Sequence, residues 1–376
     1  MNALPKEIMS NQGNTQDGTD IKILSEVVKR GHEQVTVFNY PQVGLKAIVA
    51  IHNTVLGPAL GGCRMRVYQN ETQALDDCLR LSEGMTYKSA IAGLDLGGGK
   101  SCIIADPAMK EGRKQLFEQF GECLNHLNGR YITAEDMGTS VEDVMVMRTI
   151  TKFAAGFAQD KGGSGDPSPW TARGVFNSMQ AACEKTFGSK DLKGRHVALE
   201  GVGHVGMYLL KILKEAGAKV TIADVNSAFI ARAKSDFGVE AVEAQALYDV
   251  DCDIYSPCAI GQTVNPNTIQ RLKCKIIAGA ANNQLLGPMM YDQITAKKIM
   301  YCPDFVINAG GVISVGAEYI PGGWTEAWVS DKVKNIYNTI HRILEQSEKR
   351  GKFPEVVALE LARERIKETE AKKRPH

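Results

Sequence analysis

Lys88 and Lys100, with Gly97-Gly98-Gly99 directly before the second lysine, are the residues whose types and spacing most suggest chemistry. A protonated lysine holds a carboxylate by charge. A lysine beside other cations and partly stripped of water gives up its proton more easily, and then acts as a base near neutral pH. Three consecutive glycines carry an entropic cost, which implies that something must come close to the backbone there. They read as a glycine-rich turn between the lysines. Asp136 closes the apolar run from Tyr131 and offers a carboxylate that can exchange protons with such a base. Each residue alone has a plainer explanation: Lys88 complements a helix dipole, and Asp136 caps a strand end.

About a hundred residues later, Gly201-Val202-Gly203-His204-Val205-Gly206 spells G-x-G-x-x-G between an apolar strand (Val197 to Leu199) and an apolar helix (Met207 to Leu213). In that setting the glycines permit a tight turn and bring backbone amides and a helix N-terminus to a pyrophosphate. Lys219 to Asp224 reads as the next strand. A carboxylate at Asp224 would accept ribose hydroxyls and repel a 2′-phosphate, so NAD is expected rather than NADP. The two sets of residues together fit oxidation of an amino acid. Lys88 would pair with the α-carboxylate, Lys100 would activate water against the iminium carbon, and Asp136 would shuttle the protons that release ammonia. Amides at Asn282, Asn283 and Asn308 could hold the amino group, the nicotinamide amide and the carboxylate, or could equally form turns.

The elements that must position these residues follow from periodicity and breakers. Helices are expected at 21–30, 72–87 and 114–127, and strands at 34–39, 45–53, 101–105 and 131–136. Lys161 to Pro169 is a Gly/Pro cluster that marks a turn or hinge, after which Thr171 caps a helix reaching Phe187. Strands and helices then alternate: 196–200, 206–216, 219–224, 228–237, 253–256 and 275–278, the pattern of a parallel, doubly wound sheet. Helical material from about Asp331 to Glu368 is long enough to leave that domain and pack back on the first. The expected fold is therefore two α/β domains with an active-site cleft between them. Residues 1–20 form a loose extension, 21–155 a substrate and oligomerisation domain joined by the C-terminal helix at about 340–376, and 156–339 the Rossmann domain.

Charge and composition narrow the class of function. With 44 Lys+Arg against 43 Asp+Glu, no basic face argues for a nucleic-acid or membrane-surface partner. Nine scattered cysteines without a Cys-x-x-Cys pair fit reduced thiols, not a zinc site or disulfide framework, so no metal is expected. No apolar run approaches bilayer length and the N-terminus lacks a signal pattern, which points to a cytoplasmic protein.

Several stretches, in order from about Gly31 to Lys367, closely resemble the Glu/Leu/Phe/Val amino-acid dehydrogenases. They are Leu56 to Met65 (LGPALGGCRM), Gly84 to Lys88 (GMTYK), Gly97 to Lys100, Ile132 to Thr139 (ITAEDMGT), Gly162 to Pro169 (GGSGDPSP), Ala280 to Leu285 (AANNQL) and Val306 to Gly311 (VINAGG). The resemblance implies the same roles for Lys88, Lys100 and Asp136, and commonly an octamer. It also implies a side-chain pocket built from the Pro-Ala-Leu-Gly-Gly turn, the Thr-Ala-Glu-Asp turn and the segment after Asn-Ala-Gly-Gly, at Leu60, Ala134, Val312 and Val315. Gly61, Gly62, Met85 and Asn283 are added on the substrate side. Thr171, Val225, Cys258, Ala259 and Ala280 join the glycine loop, Asp224, Asn282 and Asn308 on the cofactor side. The pocket residues are apolar, and burying a second carboxylate there unpaired would be costly. Leucine is therefore the expected substrate, with isoleucine and valine tolerated, because one methylene discriminates weakly. Trp324 and Trp328 depart from the leucine-type pattern and are expected to pack on a helix face or a subunit contact. Were they to reach the pocket, phenylalanine or tryptophan would gain. A rival of a different class is a catalytically silent NAD-binding regulator that keeps the fold.

Overall fold

The computed structural model describes residues 23–373, so the expected N-terminal extension and the last three residues lie outside it. The first domain contains α1 (Ile23–Arg30), β1 (Gln34–Tyr40), β2 (Leu45–Asn53), β3 (Ala59–Arg66), α2 (Glu71–Ile91), β4 (Gly97–Ile104), α3 (Arg113–His126), β5 (Tyr131–Glu135) and α4 (Val141–Arg148). Its sheet runs β1-β2-β4-β3-β5. The β1–β2 and β2–β4 pairs are antiparallel, whereas β3 is parallel to both β4 and β5. Phe117, Phe120 and Tyr131 pack one face of this sheet, and Cys78, Leu79 and Cys102 the other.

Two turns expected from the sequence are strands instead. Gly97-Gly98-Gly99 opens β4, and Ala59 to Gly62 belongs to β3, which lies between β4 and β5. The glycines are there because neighbours leave no room for side chains. A Cβ on Gly98 would enter the Thr86 backbone of α2, and one on Gly99 would lie 2.6 Å from the Tyr131 ring. The helix expected at 72–87 extends to Ile91, capped at its start by the Asn70 side chain, which accepts from Gln73 N at 2.9 Å. Helix α4, absent from the expected elements, begins with a reciprocal Ser140–Asp143 capping box.

The second domain continues with α5 (Ser168–Phe187), β6 (His196–Glu200), α6 (His204–Glu215), β7 (Lys219–Ala223), α7 (Ser227–Phe237), β8 (Glu240–Ala241), β9 (Ile254–Pro257) and α8 (Thr268–Arg271). It is completed by β10 (Ile276–Ile277), α9 (Met290–Ala296), β11 (Met300–Tyr301), α10 (Asp304–Ile307), α11 (Gly310–Gly316), α12 (Glu326–Lys334) and α13 (Ile336–Arg350). All strands of its sheet are parallel, in the order β11-β10-β9-β6-β7-β8. This is the doubly wound Rossmann arrangement, and its order reverses between β6 and β9.

The expected terminal helical segment is divided. Helix α13 lies on α5, while α14 (Pro354–Lys373) crosses back to α2. There Arg365 donates to the carbonyls of Ala90 (2.9 Å) and Leu94 (2.7 Å) and pairs with Asp95 (2.8 Å). It thereby satisfies acceptors that a helix end otherwise leaves open. Trp324 and Trp328 do not share a helix face. Trp324 precedes the Thr325 cap of α12 and donates its indole N–H to Ser314 Oγ at 3.2 Å, while Trp328 lies inside the helix.

Candidate active site

Sheet register brings Lys100 and Asp136 together. β3 sits between β4, which carries Lys100, and β5, which Asp136 follows, and Gly62 pairs with Ala134 on β5. A Cβ on Gly62 would lie 2.8 Å from the Asp136 Cβ and 2.5 Å from the Glu135 carbonyl, so only glycine lets Asp136 fold over β3. Gly61 is equally confined by the Gly99 carbonyl. Lys100 Nζ, on β4, reaches Asp136 Oδ2, just past the end of β5, directly. Lys100 is only 5 % exposed. Loss of hydration, and then the positive charge of Arg64, lower its pKa to about 8.

Lys88 is half-buried in the last turn of α2 and extends toward the second domain, where its Nζ donates to Asn282 Oδ1 at 3.2 Å. Desolvation lowers its pKa to about 8, opposed by the charge of Asp304. An arriving carboxylate would raise it again and favour the charged form. Asn308 Nδ2 donates to the same Asn282 oxygen (2.9 Å) and to the Ala280 carbonyl (3.1 Å). Its own Oδ1 is buried without a protein partner. Asn283 adopts a left-handed turn at φ 52 and its carbonyl accepts from Gln262 N at 2.7 Å. Asn282 and Asn308 therefore form a polar lip across from Lys88, and the Asn-Asn pair is also a turn.

Leu60, Ala134 and Val315 share one apolar cluster, with Val312 packed at its edge. Leu60 approaches α11 so closely that a Cβ on Gly316 would lie 3.7 Å from its Cδ2. Met85 is half-buried on α2, one turn before Lys88.

Most of the expected cofactor residues gather at the C-terminal ends of the parallel strands, where doubly wound sheets bind ligands. Gly201 to Gly206 follow β6, Asp224 and Val225 follow β7, Cys258 and Ala259 follow β9, and Ala280 follows β10. The loop fits a dinucleotide. Gly201 stands at φ 90 against Ala259, and a Cβ on Gly206 would collide with the Gly201 carbonyl. The space beside Gly203 is open, and the N-terminus of α6 has no side-chain cap. Free amides at a helix N-terminus suit a pyrophosphate. Asp224 already accepts from Val202 N (2.7 Å) and Asn226 N (2.8 Å), so it shapes the loop and retains lone pairs for a ribose. Cys258 Sγ accepts from Ala280 N at 3.3 Å, His204 is exposed at the start of α6, and Val205 is half-buried. Thr171 donates its hydroxyl to Pro167 O at 3.1 Å within α5, and Val225 is 95 % exposed.

Arg64 has no role among the expected site residues, yet its guanidinium lies 3.5 Å from Asp136 Oδ2. Its place in the Gly-Gly-Cys-Arg stretch of β3 was the one available signal.

A dinucleotide-type sheet together with a buried lysine in contact with a half-buried aspartate fits an amino-acid dehydrogenase, an oxidoreductase with two α/β domains. The family model described as "Glu/Leu/Phe/Val dehydrogenase, dimerisation domain" matches residues 32–153. That for "Glutamate/Leucine/Phenylalanine/Valine dehydrogenase" matches residues 162–237 and 226–374. The chain belongs to the Glu/Leu/Phe/Val dehydrogenase family. It is 48 % identical over 346 residues to leucine dehydrogenase of Bacillus subtilis (strain 168), covering 92 % of this chain and 94 % of that protein. It is 45 % identical over 312 residues to phenylalanine dehydrogenase of Thermoactinomyces intermedius, covering 82 % and 84 %. The crystal structure of L-tryptophan dehydrogenase from Nostoc punctiforme superposes with a TM-score of 0.80 at 39 % identity, covering 92 % of this chain and 99 % of that one.

Proposed function

We propose that this enzyme catalyses the reversible, NAD-dependent oxidative deamination of branched-chain L-amino acids, leucine before isoleucine and valine. An amino acid, oxidised NAD and water yield a 2-oxo acid, ammonium, NADH and a proton. Bound NAD supplies the hydride acceptor. Lys88 holds the substrate carboxylate. Lys100, neutral at the start, takes a proton from water as that water adds to the iminium carbon, and Asp136 passes protons to the departing ammonia. Asn282 and Asn308 orient the polar end of the substrate and the cofactor amide. The glycine loop, Thr171, Cys258, Ala259 and Ala280 shape the dinucleotide site, and Asp224 favours NAD by repelling a 2′-phosphate.

The observation that carries the reading is the Lys100–Asp136 contact beside an apolar wall of Leu60, Ala134 and Val315. No cation among Leu60, Ala134, Val312 and Val315 would neutralise a second carboxylate, which disfavours glutamate. Similarity to leucine-acting relatives supports the aliphatic choice. An aromatic substrate is the second reading, favoured by Trp324 reaching Ser314, between Val312 and Val315 on α11. We further infer a homo-oligomer, an octamer by family resemblance, working in the cytoplasm, where its nine free cysteines would stay reduced.

NADH formation with a panel of amino acids is the test. Leucine fastest supports the proposal, and phenylalanine or tryptophan fastest overturns the pocket assignment. Lys100→Ala is expected to abolish turnover while NAD still binds. Turnover retained in that variant would refute the base.

A further inference from the structure

We propose that Arg64, anchored by Asp77, is a positioning residue that keeps Asp136 from locking Lys100 into a closed ion pair. The inference rests on the proposed role of Lys100 as base. Register puts the three side chains together. Cys63 pairs with Glu135, so one step further Arg64 faces Asp136. Arg64 also pairs with Cys102 on β4, two residues beyond Lys100, and alternate residues of a strand share a face.

The geometry divides the guanidinium between two carboxylates. Nη2 lies 3.5 Å from Asp136 Oδ2, the same oxygen that Lys100 contacts. Nη1 lies 3.0 Å from Asp77 Oδ2 and 3.3 Å from Asp77 Oδ1. Asp77 is fixed in turn by the Tyr68 hydroxyl (3.0 Å) and by Arg80 (2.8 Å). Burial alone would raise the Asp77 carboxyl, but Arg64, Tyr68 and Arg80 outweigh it and hold it below the usual value. The side chains of Arg64 and Asp77 are 15 % and 11 % exposed, so water screens this pair little. A guanidinium keeps its charge at any working pH.

The groups facing Lys100 are Cys63 and Arg64 from β3, Cys102 from its own strand, Cys78 from α2 and Asp136 beyond β5. A lysine paired with a carboxylate alone would hold its proton. Arg64 competes for the Asp136 oxygen and repels the ammonium form, and both effects favour a neutral lysine. Asp77 keeps the arginine extended toward α2, so that it shares Asp136 without displacing Lys100.

The test is the pH profile of kcat/KM for leucine deamination in the full-length enzyme with NAD. Arg64→Gln is expected to move the acid limb up by about one pH unit, seen as about a tenfold loss at pH 7 that recovers at high pH. Arg64→Lys, keeping the charge, should leave the limb close to that of the parent. Asp77→Asn removes a nearby negative charge and should move it the opposite way, to lower pH. A merely structural role would not give shifts of opposite sign. An unmoved limb in Arg64→Gln, or shifts of one sign in both neutral variants, overturns the proposal. Should Arg64→Gln fail to fold, Asp77→Asn decides, and an unmoved or raised limb refutes it. Lys100→Ala separates the two claims: turnover there refutes the base, whereas an inactive Lys100→Ala with an unmoved Arg64→Gln limb refutes Arg64 alone.

Discussion

Leu60→Ala separates a pocket wall from ordinary core. Leu60 is 1 % exposed, in the cluster that also contains Leu94, Leu96, Ala134 and Val315. The substitution removes three buried carbons, worth about 2.5 kcal/mol in transfer free energy, and the cavity left behind brings the expected loss of stability to about 3–4 kcal/mol. If part of that surface meets the substrate, leucine loses roughly 1–3 kcal/mol of transition-state binding, a fall in kcat/KM of about 5- to 150-fold. Phenylalanine gains the vacated volume, so the leucine-to-phenylalanine ratio should fall by more than tenfold. Thermal unfolding measures the first quantity and steady-state kinetics with both amino acids measures the second. A destabilised variant whose substrate ratio matches the parent would show that Leu60 is core only, and the pocket assignment would fail with it.

Three further outcomes are expected. Below pH 8 the deamination kcat/KM should fall about tenfold per unit, because a base with a pKa of about 8 is increasingly protonated there; a flat profile from pH 6 to 9 would exclude Lys100 as base. Asp224→Ser should raise the use of NADP relative to NAD by removing the charge that repels a 2′-phosphate, and should lower the melting temperature because the Val202 and Asn226 amides lose their acceptor; an unchanged cofactor ratio would assign Asp224 to loop structure alone. Gly98→Ala should cost at least about 2 kcal/mol of stability through overlap with the Thr86 backbone, and a denaturant melt matching the parent would contradict that packing.

The dinucleotide loop was legible because its signals are local: glycines, a preceding strand and a following helix fit within one short stretch of chain. The first domain hid more. Ala59 to Arg66 carries two adjacent glycines and alternates weakly, and Gly97-Gly98-Gly99 offers no side chains whose pattern could announce a strand. Both segments are strands because of residues distant in sequence, Thr86, Tyr131 and Asp136, whose atoms fill the space a side chain would need. The meeting of Lys100 with Asp136 depends on β3 inserting between β4 and β5, a fact of topology. Arg64 was invisible as a site residue for the same reason, since its two carboxylate partners come from a helix and from the end of another strand.

The polypeptide passes between the halves of the molecule twice, once through the segment between α4 and α5 and again at the left-handed Gly351 between α13 and α14. Bodies tethered at two places retain one easy rotation, about the line through the tethers, while sliding and twisting are resisted. Because Arg365 fastens the returning helix to the end of the element carrying Lys88, that lysine would travel with the line instead of swinging free of it. An opening about that line would part Lys88 on one side from Asn282 on the other, which the 3.2 Å hydrogen bond between them now joins.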